Sequence, residues 1–424
     1  MIQNIIKNKL FIPIRIDLQR NIYFAVLMFT LSLGLSQSPI PLEEAFAIAK
    51  ENNHKVRAQN LSTAFHQKSI GSVSFLTPTQ ITAEYGQINS FYRDNGFSVQ
   101  QGFKLPFVYL HQKAEKSEQL KSAQNRRVYT IKQVEQNIEL VYEKYTFLAA
   151  KIELLQQWDS LYKKLETQAN IRFQSGESNV LETLNIQQKV EQNQILLQQT
   201  KTELDLVIQE FQWILNAKTF YIPTLKKMEL RAFNTLIDPS FTANHPLIRI
   251  AEQEINIAKA VLQNVSDLRY PEITLDYQNM SMRGTGADDL IYGKKDRFHN
   301  IQLGVSIPIL HNGLSAQKKA NEILVEQKSE EFFEVKKEME TKIQQVNITV
   351  RETIRQVKTF ENTLLPNAAL IEKTALTMYK SGEINYLDFM IIIEKSFETK
   401  MLYLQTVALA NEQIIGLNYL TLSF

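Results

Sequence analysis

The sequence predicts a mainly α-helical protein with a small β part, built from two copies of one plan. Three observations carry this. Long stretches keep apolar residues at three-four spacing, two pairs of short segments alternate apolar with polar residues, and both features recur about 200 residues apart. With only 13 Gly and 11 Pro in 424 residues, long helices are favoured over a loop-rich enzyme.

The first element is a segment for export. Arg15 and Arg20 precede the apolar run IYFAVLMFTLSLGLS, Ile22 to Ser36, which small and polar residues follow. Residues 1–36 read as a signal peptide cleaved near Ser36 or Gln37. An uncleaved anchor is the alternative, although the run is short for a span of about 20 residues. No later apolar stretch is long enough to cross a bilayer as a helix, so any crossing there must use strands.

The repeats occupy 37–243 and 244–424, each ordered as helix, two strands, very long helix, break and returning helix. In the first, an opening helix from about Glu43 to Ser72 leads to strands at about 79–90 and 96–106. A long helix over 107–172, a turn at 173–180, a return helix to 215 and a linker over 216–243 follow. The second has strands at about 271–282 and 297–308, a long helix over 309–378, a turn at 379–387 and a return helix to about 420. SVQQGFKLPF from Ser98 matches NIQLGVSIPI from Asn300, which aligns Gly102 with Gly304 and Pro106 with Pro308. ITAEYGQ from Ile81 matches ITLDYQN from Ile273, and the loop between the second pair of strands is about ten residues longer.

Strands are expected where Ile301, Leu303, Val305 and Ile307 alternate with Gln302, Gly304 and Ser306, and where Ile81, Ala83 and Tyr85 do the same. Aromatics gather around them, as in the girdles of membrane barrels, although a sandwich would show the same alternation. In the helices, Ile131, Val134, Ile138, Val141, Tyr145, Leu148, Ile152 and Leu155 form a stripe that needs neighbouring helices. At 1.5 Å per residue the first long helix spans roughly 99 Å, and its two shorter partners placed end to end span roughly 103 Å. A tall bundle follows, each long helix flanked by two short ones in line. Pro106 and Pro308 suit strand-to-helix corners, since proline ends a ladder and fits the first helical turn. Pro366, with Ser160 as its counterpart, predicts a kink in the second long helix only. Four strands cannot close a barrel, for which about eight are the minimum, so the chain must associate or leave edges open.

Much chemistry is excluded. Lys and Arg total 47 against 45 Asp and Glu, a balance that argues against nucleic acid as partner. Zero Cys excludes disulfides, thiolate metal sites and a lipidated N-terminal cysteine. The six histidines (54, 66, 111, 245, 299 and 311) lack metal-ligand spacing, and Met280 with Met282 reads more simply as two loop residues than as a soft-metal contact. No phosphate loop or nucleophile motif appears, so no catalytic residue, cofactor or metal ligand is assigned.

The duplicated plan, GFKLPF and GVSIPI at the corners, and RFQSGESNVLETL and YKSGEINYLDFM at the helix turnarounds, resemble the TolC-type outer membrane efflux family from about Pro41 to Phe424. EYGQINSFYRDNGFSVQQGFKLP and GKKDRFHNIQLGVSIPIL are most similar to its CzcC/CusC-like heavy-metal members. The resemblance implies a homotrimer with a 12-stranded barrel in outer membrane lipid and an α-helical tunnel across the periplasm. It implies as partners a periplasmic membrane-fusion adaptor and an inner membrane RND-type pump, with heavy-metal cations as cargo. A duct for drugs or other small molecules, or an envelope coiled-coil scaffold without a channel, are the alternatives.

The turnarounds then become the docking tips: Arg172, Phe173, Ser175, Gly176, Glu177, Asn179 and Leu181 in one, and Tyr379, Ser381, Gly382, Glu383, Asn385, Tyr386 and Leu387 in the other. Gly176 and Gly382 permit a left-handed helix end, Ser175 and Ser381 with the following Glu are expected to cap the return helices, Asn179 and Asn385 to satisfy loop backbone, and Leu181 and Leu387 to restart the apolar stripe. Tripled by symmetry, Glu177, Glu182, Glu383 and Asp388 would form acidic entrance rings, although each also suits a helix start.

Overall fold

A computed structural model describes residues 38–233, 245–309 and 312–421. The expected signal peptide and the end of the linker lie outside them. The first repeat contains β1 (Ser38–Ile40), α1 (Leu42–Asn52), α2 (His54–Ile70), β2 (Gln80–Gly86), β3 (Asp94–Phe103), α3 (Pro106–Gln174), α4 (Val180–Leu215) and β4 (Tyr221–Pro223). The second contains α5 (Pro246–Asp267), β5 (Glu272–Met280), β6 (Gly284–Thr285), β7 (Ile291–Tyr292), β8 (Phe298–Ser306) and α6 (Asn312–Thr359). A π-helical segment (Phe360–Leu364), α7 (Leu365–Ser381) and α8 (Tyr386–Thr421) complete it.

The three-four stripe becomes one unbroken helix. α3 has 69 residues, about 104 Å at 1.5 Å per residue, and its Val134, Ile138, Val141, Leu148 and Leu155 are buried. The second long helix is interrupted by the π segment, where Leu365 N–H reaches back to Phe360 O. Pro366 explains it. A proline ring presses on the carbonyl four residues earlier, here Asn362, and the widened turn relieves that contact.

The opening helix is two helices, not the one expected over Glu43 to Ser72. Asn53 Oδ1 accepts from Lys55 N at 2.9 Å and caps α2, while its Nδ2 donates to Ile214 O at 2.7 Å, at the end of α4. Asn216 completes the joint from the other side, its Nδ2 donating to Asn52 O at 2.8 Å. The short helices are thus in line beside α3. In the second repeat His245 holds the corresponding joint: Nδ1 accepts from Leu247 N at 3.2 Å and Nε2 meets Tyr419 O at 3.3 Å. Burial lowers the pKa of His245, which favours the neutral ring that this donor and acceptor pair requires.

One four-stranded antiparallel sheet, ordered β2-β3-β5-β8, joins the repeats. Its register separates two chemistries. One face carries rows such as Ile81, Val99, Tyr277 and Ile301, and the other carries Thr82, Ser98, Gln278 and Asn300. The apolar face is uncovered, with Ile81 72% and Leu303 74% exposed. Gly102 and Gly304 flank Thr274 on the polar face, and a Cβ on Gly304 would strike the Thr274 hydroxyl. Pro106 occupies the first turn of α3. Pro308 does not take the same place: it follows β8 in irregular chain, and the described part of α6 begins at Asn312. It ends the ladder, while the turn into the helix falls later.

Helix contacts repeat the order of the sheet. Near the strands the columns run α2, α3, α5, α6, and farther away α4, α3, α8, then α6 and α7. The outer columns therefore stand below the edge strands β2 and β8.

Candidate functional site: hairpin tips and sheet edges

The tips end each long helix identically. Gly176 and Gly382 both have φ +79°, with nothing near a hypothetical Cβ, so backbone conformation alone selects glycine. Glu177 N donates to Arg172 O at 2.8 Å and Glu383 N to Met378 O at 2.9 Å, closing the last carbonyls of the outgoing helices. The caps of the return helices are Asn179, accepting from Glu182 N at 3.1 Å, and Asn385, accepting from Asp388 N at 2.9 Å. Ser175 and Ser381 do not cap these helices. They lie before the left-handed glycine and donate back to Arg172 O and Met378 O, because the return helices start only after the turn.

Leu181 and Leu387 do not restart the core stripe either. Both sit in the first turn facing outward, and burial resumes at Ile186, Tyr386, Phe389 and Met390. Tyr386 is itself 7% exposed, so it belongs to the core between the hairpins and not to a graspable surface. Tyr379 stacks on Phe389 at 4.6 Å between ring centroids. Phe173, Glu177, Gly176, Gly382 and Glu383 are exposed, and Ser381 Oγ donates to Glu383 at 2.9 Å.

Arg172 ties the two tips together. Its Nη1 donates to Glu182 at 3.2 Å within its own repeat and to the Tyr379 hydroxyl at 3.2 Å in the other. The Tyr379 hydrogen bond, then Glu182, raises its pKa further. Glu182 also accepts from Ser178 Oγ at 2.8 Å, so its charge is compensated inside the tip. Asp388 is exposed and held by Asn385 Nδ2 at 2.7 Å. Of the four acids, Glu177, Glu383 and Asp388 remain turned to solvent.

A polar network midway along the bundle was missed by sequence reasoning. Arg231, in the linker, pairs with Glu139 at 2.8 Å and Glu143 at 3.2 Å on α3. Asn411 on α8 donates to Glu143 at 2.6 Å and accepts from Arg231 N at 2.8 Å, and the Tyr419 hydroxyl donates to Glu139 at 3.1 Å. Burial pushes the Tyr419 phenol well above its ordinary value, so it serves as a donor. The only sequence signal was an arginine in an otherwise featureless linker. Nearby, a groove of 990 Å³ runs beside the π segment. Its Lys400 pairs with Glu372 and its Tyr403 with Glu361, which leaves no convergent reactive set. Among the described residues no three His, Cys, Asp or Glu side chains are placed to hold a metal.

No family model and no curated protein matches the sequence. Solved structures do match. The transmembrane channel CusC is similar at TM-score 0.78 and 14% identity, over 90% of this chain and 92% of that one. The outer membrane channel CmeC of Campylobacter jejuni is similar at 0.74 and 11%, over 90% and 85%. The outer membrane protein VceC of Vibrio cholerae is similar at 0.74 and 12%, over 90% and 95%. From its four-stranded sheet to its helical tips, the chain has the TolC-like fold of outer membrane channels.

Proposed function

We propose that three copies of this chain form an outer membrane exit duct of a tripartite efflux system, passively conducting substrates delivered by an inner membrane pump and a periplasmic adaptor. The two-faced sheet with two free edges carries this reading. An uncovered apolar face opposite a polar one suits lipid outside and water within. Among the described residues β2 and β8 each pair on one side only, and in an antiparallel order of four, β8 of one copy would meet β2 of the next antiparallel. Twelve strands from three copies exceed the minimum of about eight. The helical columns below those edges also show exposed apolar residues: Leu61 and Phe65 on one, Ile323 and Phe333 on the other. A coiled-coil scaffold would have no use for such a sheet.

The exposed tip residues are the adaptor's footprint in this reading, and heavy-metal cations are the cargo, on the resemblance of the corner segments to CzcC/CusC-like proteins. Signal-directed export to the outer membrane completes it. The test is direct: membrane fractions should contain SDS-resistant, heat-modifiable trimers, and deletion should sensitise cells to copper, silver, zinc or cobalt. A soluble periplasmic monomer would refute the duct. Sensitivity to dyes and drugs without metal sensitivity would refute the metal cargo alone.

A further inference from the structure

The exterior rim of the sheet carries a cluster that conduction does not use. The two hairpin loops, 87–93 and 281–297, lie at the strand ends farthest from the helices. On the apolar face, around and beyond the Phe97 and Tyr277 pair, the last positions before the loops are Asn95, Asn279, His299 and Arg297, with Asn279 and His299 level with Phe97. Arg297 Nε donates to Asn279 Oδ1 at 2.6 Å, Nη2 to Asn279 O at 3.0 Å, and Nη1 to Asn95 O at 3.3 Å and Asn95 Oδ1 at 2.5 Å. His299 Nδ1 lies 2.7 Å from the Tyr277 hydroxyl and 3.1 Å from Asn279 Nδ2.

The guanidinium is thus fixed across three strands by neutral oxygens, and its charge is left uncompensated. Arg93, Arg283, Lys294 and Lys295 stand at the same loop roots, and none of the five cations forms an ion pair among the described residues. Arg283 lies over the Tyr92 ring at 5.1 Å. The nearby acids are placed differently. Asp288 and Asp289 lie at the tip of the β6–β7 hairpin, Asp288 bonded to Tyr292, while Asp94 is buried, holding Ser281 and Arg283 N. Asp94, beside Arg283, and Asp296, which accepts from Gly293 N, are the acids at root level, and Asp94 is turned inward.

Along the outward face the apolar rows lead through the Phe97 and Tyr277 pair to Arg297, and the other four cations stand at the loop roots around it. We infer that this rim binds a lipid bearing more than one phosphate in the outer leaflet, its acyl chains along Ile301, Leu303 and Ile81 and its phosphates among Arg93, Lys294, Lys295 and Arg297. Charge complementarity argues for it: guanidinium and ammonium groups form charge-assisted hydrogen bonds with phosphate, and each surface cation strengthens anionic-lipid binding several-fold. The inference rests on the barrel reading above.

Arg93→Gln, Lys294→Gln and Lys295→Gln together remove three cations whose side chains hold no strand bond. Trimers extracted from outer membranes and stripped of lipid would be titrated with diphosphoryl lipid A or phosphatidylethanolamine and followed by native mass spectrometry. The wild type should prefer diphosphoryl lipid A, with salt weakening the preference, and the triple variant should bind it at least tenfold less tightly. Equal binding by variant and wild type, or no preference between the lipids, overturns the inference while trimers in the outer membrane leave the duct intact. Absence of such trimers overturns both.

Discussion

Gly176 and Gly382 mark where single residues decide the geometry of the tips. At φ +79° any side chain is strained, by roughly 1 kcal/mol per site, yet open space surrounds both. Gly176→Asp with Gly382→Asp should therefore leave trimers assembled on SDS gels and abolish export, by changing the surface that a partner holds; unchanged export would remove the docking claim. Arg231→Ala strands Glu139 and Glu143 in a mostly buried setting, and a loss of about 3 kcal/mol is expected in denaturant unfolding. His245 adds a pH dependence of known sign. Its folded pKa lies below the unfolded value of about 6.5, so between the two the unfolded chain binds more protons. Stability should fall as pH drops through 6.5 and stop falling below the folded value. His245→Gln should flatten that slope in melting curves taken between about pH 7.5 and 5.

At the scale of elements, what was legible followed from periodicity, and what was missed followed from single polar side chains acting at a distance. Three-four spacing from Ile131 to Leu155 and alternation from Ile301 to Ile307 are local properties, and the helices and strands follow them. The same logic exposed the need for glycine at both tips and for a fault near Pro366. It misjudged Ser175 and Ser381, because a cap depends on which side of the turn the residue falls. It overlooked Arg231, because nothing in the linker's sequence records that two glutamates wait on α3. Asn53 is the instructive case. It divides α1 from α2 by capping the second, and it also holds the end of α4. Asn53→Ala loses both tasks and should cost about 1–2 kcal/mol. Asn53→Asp keeps the acceptor for Lys55 N and replaces the donor to Ile214 O with a carboxylate oxygen. If the joint matters, Asp should be no better than Ala in chemical unfolding; recovery to wild-type stability would show that capping alone is at stake.

The whole molecule, as far as its residues are described, presents unpaired edges in both its sheet and its helices. The slab of four columns buries α3 most thoroughly and leaves the α2 and α4 column exposed on its far side, just as β2 is left without a neighbour above it. Thr63 of α2 approaches α3, its hydroxyl 3.5 Å from Ala123 O. Residues two positions away on a helix lie about 200° round, so Leu61 and Phe65 point away from the protomer. They are 72% and 66% exposed, a cost that an isolated water-soluble chain has no reason to bear at neighbouring positions of one helix. In the proposed trimer, burial against the second repeat of another copy would remove it, in a head-to-tail contact that closes as a ring. Leu61→Asp with Phe65→Asp should therefore leave helix content by circular dichroism unchanged, since neither side chain serves the protomer's own core. Trimers should be lost or become sensitive to SDS, because two carboxylates would be buried without partners at each of the three contacts. A double variant as resistant as the wild type would place the association in the strands alone, and would reassign these two side chains to the wet interior of the duct.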